Sequence, residues 1–215
     1  MDATAALWLA VLASGLYHGV NPGMGWPLAV AAGLTERRQA ALARTLVPLA
    51  AGHLASIAVV LLPFAGLALL LDWSREIGIG AGLAIIGFAA FLMAYPRHPR
   101  FIARVRPTQI ALWSFLIGLL HGAGLMLVPV LLGLCSFAPA AGPGGSPSGL
   151  VGNTVLALEV AFVHTAAVIG SGGLVAFAVY RVLGIAFLKK SWFDLEFIWA
   201  GSLAFAGALG IYTAL

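Results

Sequence analysis

Charge and cysteine are what this sequence has least of. Eleven Lys and Arg and seven Asp and Glu are spread over 215 residues, 8% of the chain, where an ordinary soluble domain carries roughly 25%. So few ionic side chains cannot clothe a soluble globule of this length, which excludes a soluble enzyme, a nucleic-acid-binding module and a disordered segment. Cys135 is the single cysteine, so there is no intramolecular disulfide and no cysteine-based metal cage. The start, Met1-Asp2-Ala3-Thr4, lacks the basic region of a signal peptide, and the apolar run behind it is too long to be cleaved. It reads as the first transmembrane helix. The chain also lacks a nucleophile, base and orienting group in any recognisable set, and it has no sizeable polar domain, which speaks against an enzyme.

What is present is apolar residue, 62% of the chain, with a mean hydropathy of +1.06. A helix crosses the hydrocarbon layer with about 20 residues, and six stretches qualify, at about 4–34, 45–71, 77–95, 109–135, 153–180 and 194–214. The fold class expected is an all-α polytopic membrane protein, one transmembrane domain over 1–215. The net charge of +4 sits in the loops: Arg37, Arg38, Arg44, then Arg97, Arg100, Arg104, Arg106, then Arg181, Lys189 and Lys190, with only Arg75 on the other side. The positive-inside rule places these basic loops in the cytoplasm of a bacterial inner membrane and both termini outside. The segment 97–106, with Phe101, Ile102 and Val105 among its arginines, suits the cytoplasmic headgroup layer. Ser136–Gly152, uncharged and rich in Gly, Pro and Ser, reads as a flexible outer connection.

The sequence repeats itself. Gly15-Leu16-Tyr17-His18-Gly19 returns as Gly118-Leu119-Leu120-His121-Gly122, and His53-Leu54-Ala55-Ser56-Ile57 echoes in His164-Thr165-Ala166-Ala167-Val168. The order is the same and the offsets nearly so. Repeat 1 then covers about 4–95 and repeat 2 about 109–214, three helices each. An odd number inverts the second unit relative to the first, a plan shared by many transporters whose sites lie at the repeat interface beside interrupted helices. The interruption is written in the first span: Pro22 and Pro27 stand among Gly19, Gly23 and Gly25, a run that cannot continue as regular helix. Gly122–Pro129 is a milder version in the fourth span, and Gly170-Ser171-Gly172-Gly173 is expected to loosen the fifth. Gly78 and Gly82 form a GxxxG pair suited to a close helix contact.

At 1.5 Å per residue, His53 lies about 12 Å, His121 about 18 Å and His164 about 16 Å inside their spans, with His18 beside the first break. Any one of these could be a neutral histidine joining helices, worth about 1 kcal/mol. As a repeat-related set at mid-depth they mark a pathway, because ionisable groups there are expensive. Imidazole suits divalent transition metals and also carries protons. Each histidine has a serine at helical spacing: Ser14, Ser56, Ser114 and Ser171. Asn21 could coordinate a cation or cap a half-helix, Met24 is a soft donor or packing, and Glu159 is a cation-attracting group or a partner for a polar neighbour.

The run His18-Gly19-Val20-Asn21-Pro22-Gly23-Met24-Gly25 resembles the first-helix signature of the NicO nickel/cobalt exporters, roughly H-[AG]-x-x-P-G-H-[GS]-K. It is also similar to the urease-accessory and sulfite-exporter-like membrane proteins. His53 after Gly52 is similar to the family's second-helix histidine. The chain departs from the signature at Met24, where the family has histidine, and at Trp26, where it has a basic residue. The resemblance implies a transporter in the lipid bilayer whose substrate is a divalent transition-metal ion, held through His18 and His53, with His121 and His164 as the metal ligands that the repeat adds. A small-anion exporter, and a non-transporting subunit whose histidines contact haem or quinone, are the rival readings; a homo-oligomer is open.

Overall fold

Residues 2–67, 74–94, 106–137, 147–183 and 195–215 are described by a computed structural model. They are all-α. Helix α1 (Ala3–Val20) begins where the Asp2 carboxylate accepts from Thr4 N at 3.3 Å. It stops at Asn21, extended at φ −64°, ψ 122°, because the ring of Pro22 disfavours helical backbone in the residue before it. A short 3-10 turn, Pro22–Met24, leads to Gly25 at φ +96°, a left-handed position open to glycine. Helix α2 (Trp26–Glu36) follows. Its Pro27 lies in the first turn, where a missing N–H breaks no helical bond.

Helix α3 runs Gln39–Leu67 and α4 Ser74–Ala94. Past a 3-10 turn at Pro107–Gln109, α5 (Ile110–His121) and α6 (Ala123–Phe137) are joined by Gly122 alone, at φ +69°, and meet at a 65° bend. Helix α7 (Pro147–Ala178) ends in a π turn, Val179–Leu183, and α8 covers Leu195–Ala214. Among the described residues α1, α3 and α7 are long and apolar enough to cross a membrane, and α5 with α6 makes a fourth if the bent pair is one span. Large apolar side chains also face outward, among them Leu16 at 52%, Phe162 at 65% and Phe205 at 70% exposure. Helices apolar on their outer as well as inner faces are built for lipid.

Partner choice is reciprocal between the two halves. Helix α1 packs on α7, α5 packs on α3, α3 meets α7, and α4 meets α8. The contacts are close because glycines allow it: a Cβ on Gly15 would stand 2.7 Å from the His164 carbonyl oxygen, and one on Gly52 2.9 Å from Phe115 N. Gly82 and Gly207 face each other, each with a virtual Cβ 2.7 Å from the other's carbonyl oxygen, so Gly82 makes the close contact its spacing suggests. One apolar core, with Val11, Ile57, Leu61, Leu127 and Val160, fills the space between α1, α3, α6 and α7.

Two expectations need correction. Gly170–Gly173 do not loosen the fifth span, since α7 runs through them unbroken; two of them are contact points, Gly172 against the Gly19 carbonyl oxygen at 2.8 Å and Gly173 against Leu46 at 3.2 Å, measured from a Cβ. The connection expected over 136–152 is shorter than that, because Ser136 and Phe137 finish α6 and 147–152 already belong to α7. Proline is tolerated in a first helical turn, so Pro147 does not delay the start. Residues 138–146, most of the basic segment 97–106, including His98, and Lys189 and Lys190 lie outside the described residues.

Candidate functional site

Three helices deliver three imidazoles to one place. His18 comes from the last turn of α1, His53 from the middle of α3 and His164 from the middle of α7. Their ring centres are 5.2 Å (His18–His53), 5.7 Å (His18–His164) and 5.8 Å (His53–His164) apart, with ring planes inclined at 42°, 63° and 21°. The three residues are 0%, 3% and 1% exposed. Small residues on the facing helices make the room: Gly15 and Gly19 let α7 reach α1, and a Cβ on Gly118 of α5 would stand 3.5 Å from His53 Nδ1.

Hydrogen bonds fix part of the proton arrangement. The Ser14 hydroxyl donates to the Val11 carbonyl at 2.9 Å and lies 3.1 Å from His164 Nδ1. With its proton already given, Ser14 accepts from Nδ1–H, which leaves the lone pair of the neutral ring on Nε2. Nε2 of His164 and Nε2 of His53 have no hydrogen-bond partner among the described residues, nor does the hydroxyl of buried Thr165. Thr165 went unnoticed in the sequence, although its place next to His164 on a buried helix was a signal. Among the described residues no group of three or more His, Cys, Asp or Glu side chains is arranged to hold a metal ion as it stands.

The serines do not serve the histidines to which spacing assigned them. Ser14, one turn from His18, bonds His164 across the helix contact. Ser56 donates to the His53 carbonyl at 2.7 Å, Ser114 to the Leu49 carbonyl at 2.8 Å, and Ser171 to the Ala167 carbonyl at 2.9 Å. Backbone capture of this kind is usual for hydroxyls in helices.

The other candidates divide. His121 ends α5, donates from Nδ1 to the Ile117 carbonyl at 3.1 Å and is within electrostatic reach of His18 and His53. Asn21 caps the 3-10 turn, its Oδ1 accepting from Gly23 N at 2.9 Å. Met24 is buried and, with Gly19, Trp26, Leu49 and Val168, lines a cavity of about 10 Å³, roughly the space of one water. Leu49 precedes His53 by four residues and Val168 follows His164 by four, so this cavity lies one helical turn from the histidines. Glu159 is on the exposed face of α7 and is not brought to the cluster. No family model, curated protein or solved structure matches the chain.

Proposed function

We propose that this protein is a membrane transporter for a small cation, with a divalent transition-metal ion of the nickel or cobalt kind as substrate and His18, His53 and His164 as its central site. The observation that carries this reading is the unpaired Nε2 atoms of His53 and His164, buried beside His18 where three apolar helices meet. Burying a polar nitrogen without a partner costs about 1–3 kcal/mol, which a packing role does not explain. A metal bonded to an imidazole nitrogen at about 2.0–2.1 Å stands about 3.2 Å from the ring centre. The point equidistant from the three ring centres, given their separations, is also about 3.2 Å from each. The rings must turn to aim nitrogens at that point, a rotation about the broad terminal torsion of histidine.

The architecture that goes with this reading is six crossings in two inverted three-helix repeats, both termini outside. Its support is the reciprocity of packing: exchanging α1 with α5, α2 with α6 and α3 with α7 converts the α1–α7 contact into α5–α3 and the α2–α3 contact into α6–α7. Alternating access across such a site is a rearrangement of helix pairs around the histidines. The cavity beside Met24 is the approach to them from the side of the basic loops.

The test is uptake of nickel and cobalt into proteoliposomes, wild type beside His53→Leu and His164→Leu. Metal uptake by the wild type, reduced to background in both variants, is expected. Sulfite movement without metal movement, or a haem absorption band in the purified protein, would replace this reading with the anion exporter or the haem-binding subunit.

A further inference from the structure

Helices α3 and α7 meet in a register that three observations fix. A Cβ on Gly173 would stand 3.2 Å from Leu46, Leu49 and Ile169 share the wall of the small cavity, and Asn153 Nδ2 donates to the Ala65 carbonyl at 3.3 Å. Numbers rise along α3 as they fall along α7, and the same register seats His53 opposite residues 165 and 166. Ala166 is exposed there and Thr165 is buried, so Thr165 is the residue turned into the bundle. It is next to His164 in sequence and across from His53 in space.

Its hydroxyl behaves unlike its neighbours. Thr45, Ser56 and Ser171 give their protons to carbonyls of their own helices at 2.9, 2.7 and 2.9 Å, the usual habit of a helical hydroxyl. Thr165 Oγ1 has no hydrogen-bond partner among the described residues, a state it shares with Nε2 of His53 and of His164. Packing does not call for a hydroxyl here. In the echo between the two repeats Thr165 answers to Leu54, which packs on the apolar core. An unpaired buried hydroxyl lowers stability, and valine would fill the same shape without that cost.

We propose that Thr165 is a further contact of the transported ion: its hydroxyl oxygen accepts a hydrogen bond from a water that the divalent ion keeps while the three imidazoles hold it. The inference rests on the three-histidine transport site. Three imidazoles leave at least one position of the ion open, and water takes it where a site has three protein ligands. Water on a divalent cation is more acidic than bulk water, hence a stronger donor, and in apolar surroundings it needs an acceptor. A hydroxyl accepts without adding negative charge, so it favours an ion that carries water and does not trap it.

Nickel chloride is titrated by equilibrium dialysis into full-length protein in detergent, monodisperse by gel filtration, and thermal unfolding is followed without metal. Thr165→Val removes the hydroxyl and keeps the shape, and Thr165→Ser keeps the hydroxyl. The valine variant is expected to unfold at the wild-type temperature or above it, yet to bind nickel about tenfold more weakly or worse and to take it up more slowly into proteoliposomes. The serine variant is expected to restore binding. If the valine variant binds and carries nickel as the wild type does, or serine weakens binding as much as valine, or binding falls only together with the unfolding temperature, the contact is overturned and the transporter reading stands. If the wild type binds no nickel, both are overturned.

Discussion

The two broken helices start from nearly the same five residues and end differently. At the first break the chain leaves the helix for five residues. It is stitched by Met24 N to the Asn21 carbonyl at 3.0 Å, Gly25 N to the Pro22 carbonyl at 3.2 Å, and Trp26 Nε1 to the Val20 carbonyl at 3.1 Å. At the second, one left-handed glycine, Gly122, turns the helix by 65°, with Phe88 against it. In both, a histidine occupies the last turn before the break. His18 enters the three-ring cluster, whereas His121 is bonded to its own helix at Ile117. A shared local motif therefore fixes where a helix ends, and the packing around it decides what the histidine does.

The sharpest way to break the comparison is at the left-handed glycines. Gly25→Val and Gly122→Val should each destabilise by about 1–3 kcal/mol from backbone strain alone, and more from the clash with Leu49 and Trp113 or with Phe88. Thermal unfolding in detergent reads this, and equal tolerance of both substitutions would show that the breaks are not needed. The next effect is functional: His53→Leu should abolish uptake while His121→Ala slows it, so equal losses would erase the distinction between the two histidine positions. Trp26→Phe removes the side-chain bond to the Val20 carbonyl that crosses the first break and should cost about 1 kcal/mol. Ser14→Ala, which frees His164 Nδ1, should cost about 1 kcal/mol and leave His121-dependent behaviour unchanged. Smallest of all, Arg44→Ala removes an exposed 2.7 Å pair with Glu36 and should shift stability by under about 0.5 kcal/mol.

Much of this was legible in the chain. Pro22, Pro27 and the glycines around them place the first break within residues 18–27, and it falls at 21–25. The depth of His53 and His164 along their helices brings them together with His18 because helical rise is regular. Other features had no one-dimensional trace. Gly170, Gly172 and Gly173 read as weak points, yet in a tightly packed bundle glycine is also what lets two backbones touch, and only the neighbour decides which. The five-residue echo does not state that α1 takes its partner from the other half. Ser14 is one turn from His18 in sequence, and its bond to His164 depends on that pairing. Glu159 is close to His164 in sequence, but five residues rotate it to another face of α7.

The backbone contact of α1 with α7 at Gly15 and Gly19, and of α3 with α5 at Gly52, has a mechanical consequence. Helices seated carbonyl to glycine have no side-chain layer to slide on, so each couple behaves as a stiff lever, and each lever holds one helix from either half of the sequence. His18 and His164 are on one lever and His53 is on the other. A pivot of one lever against the other would conserve the 5.7 Å edge of the histidine triangle, which lies within one lever, and change the 5.2 and 5.8 Å edges, which run between the two. His53 is then the jaw of a vice whose other face is fixed.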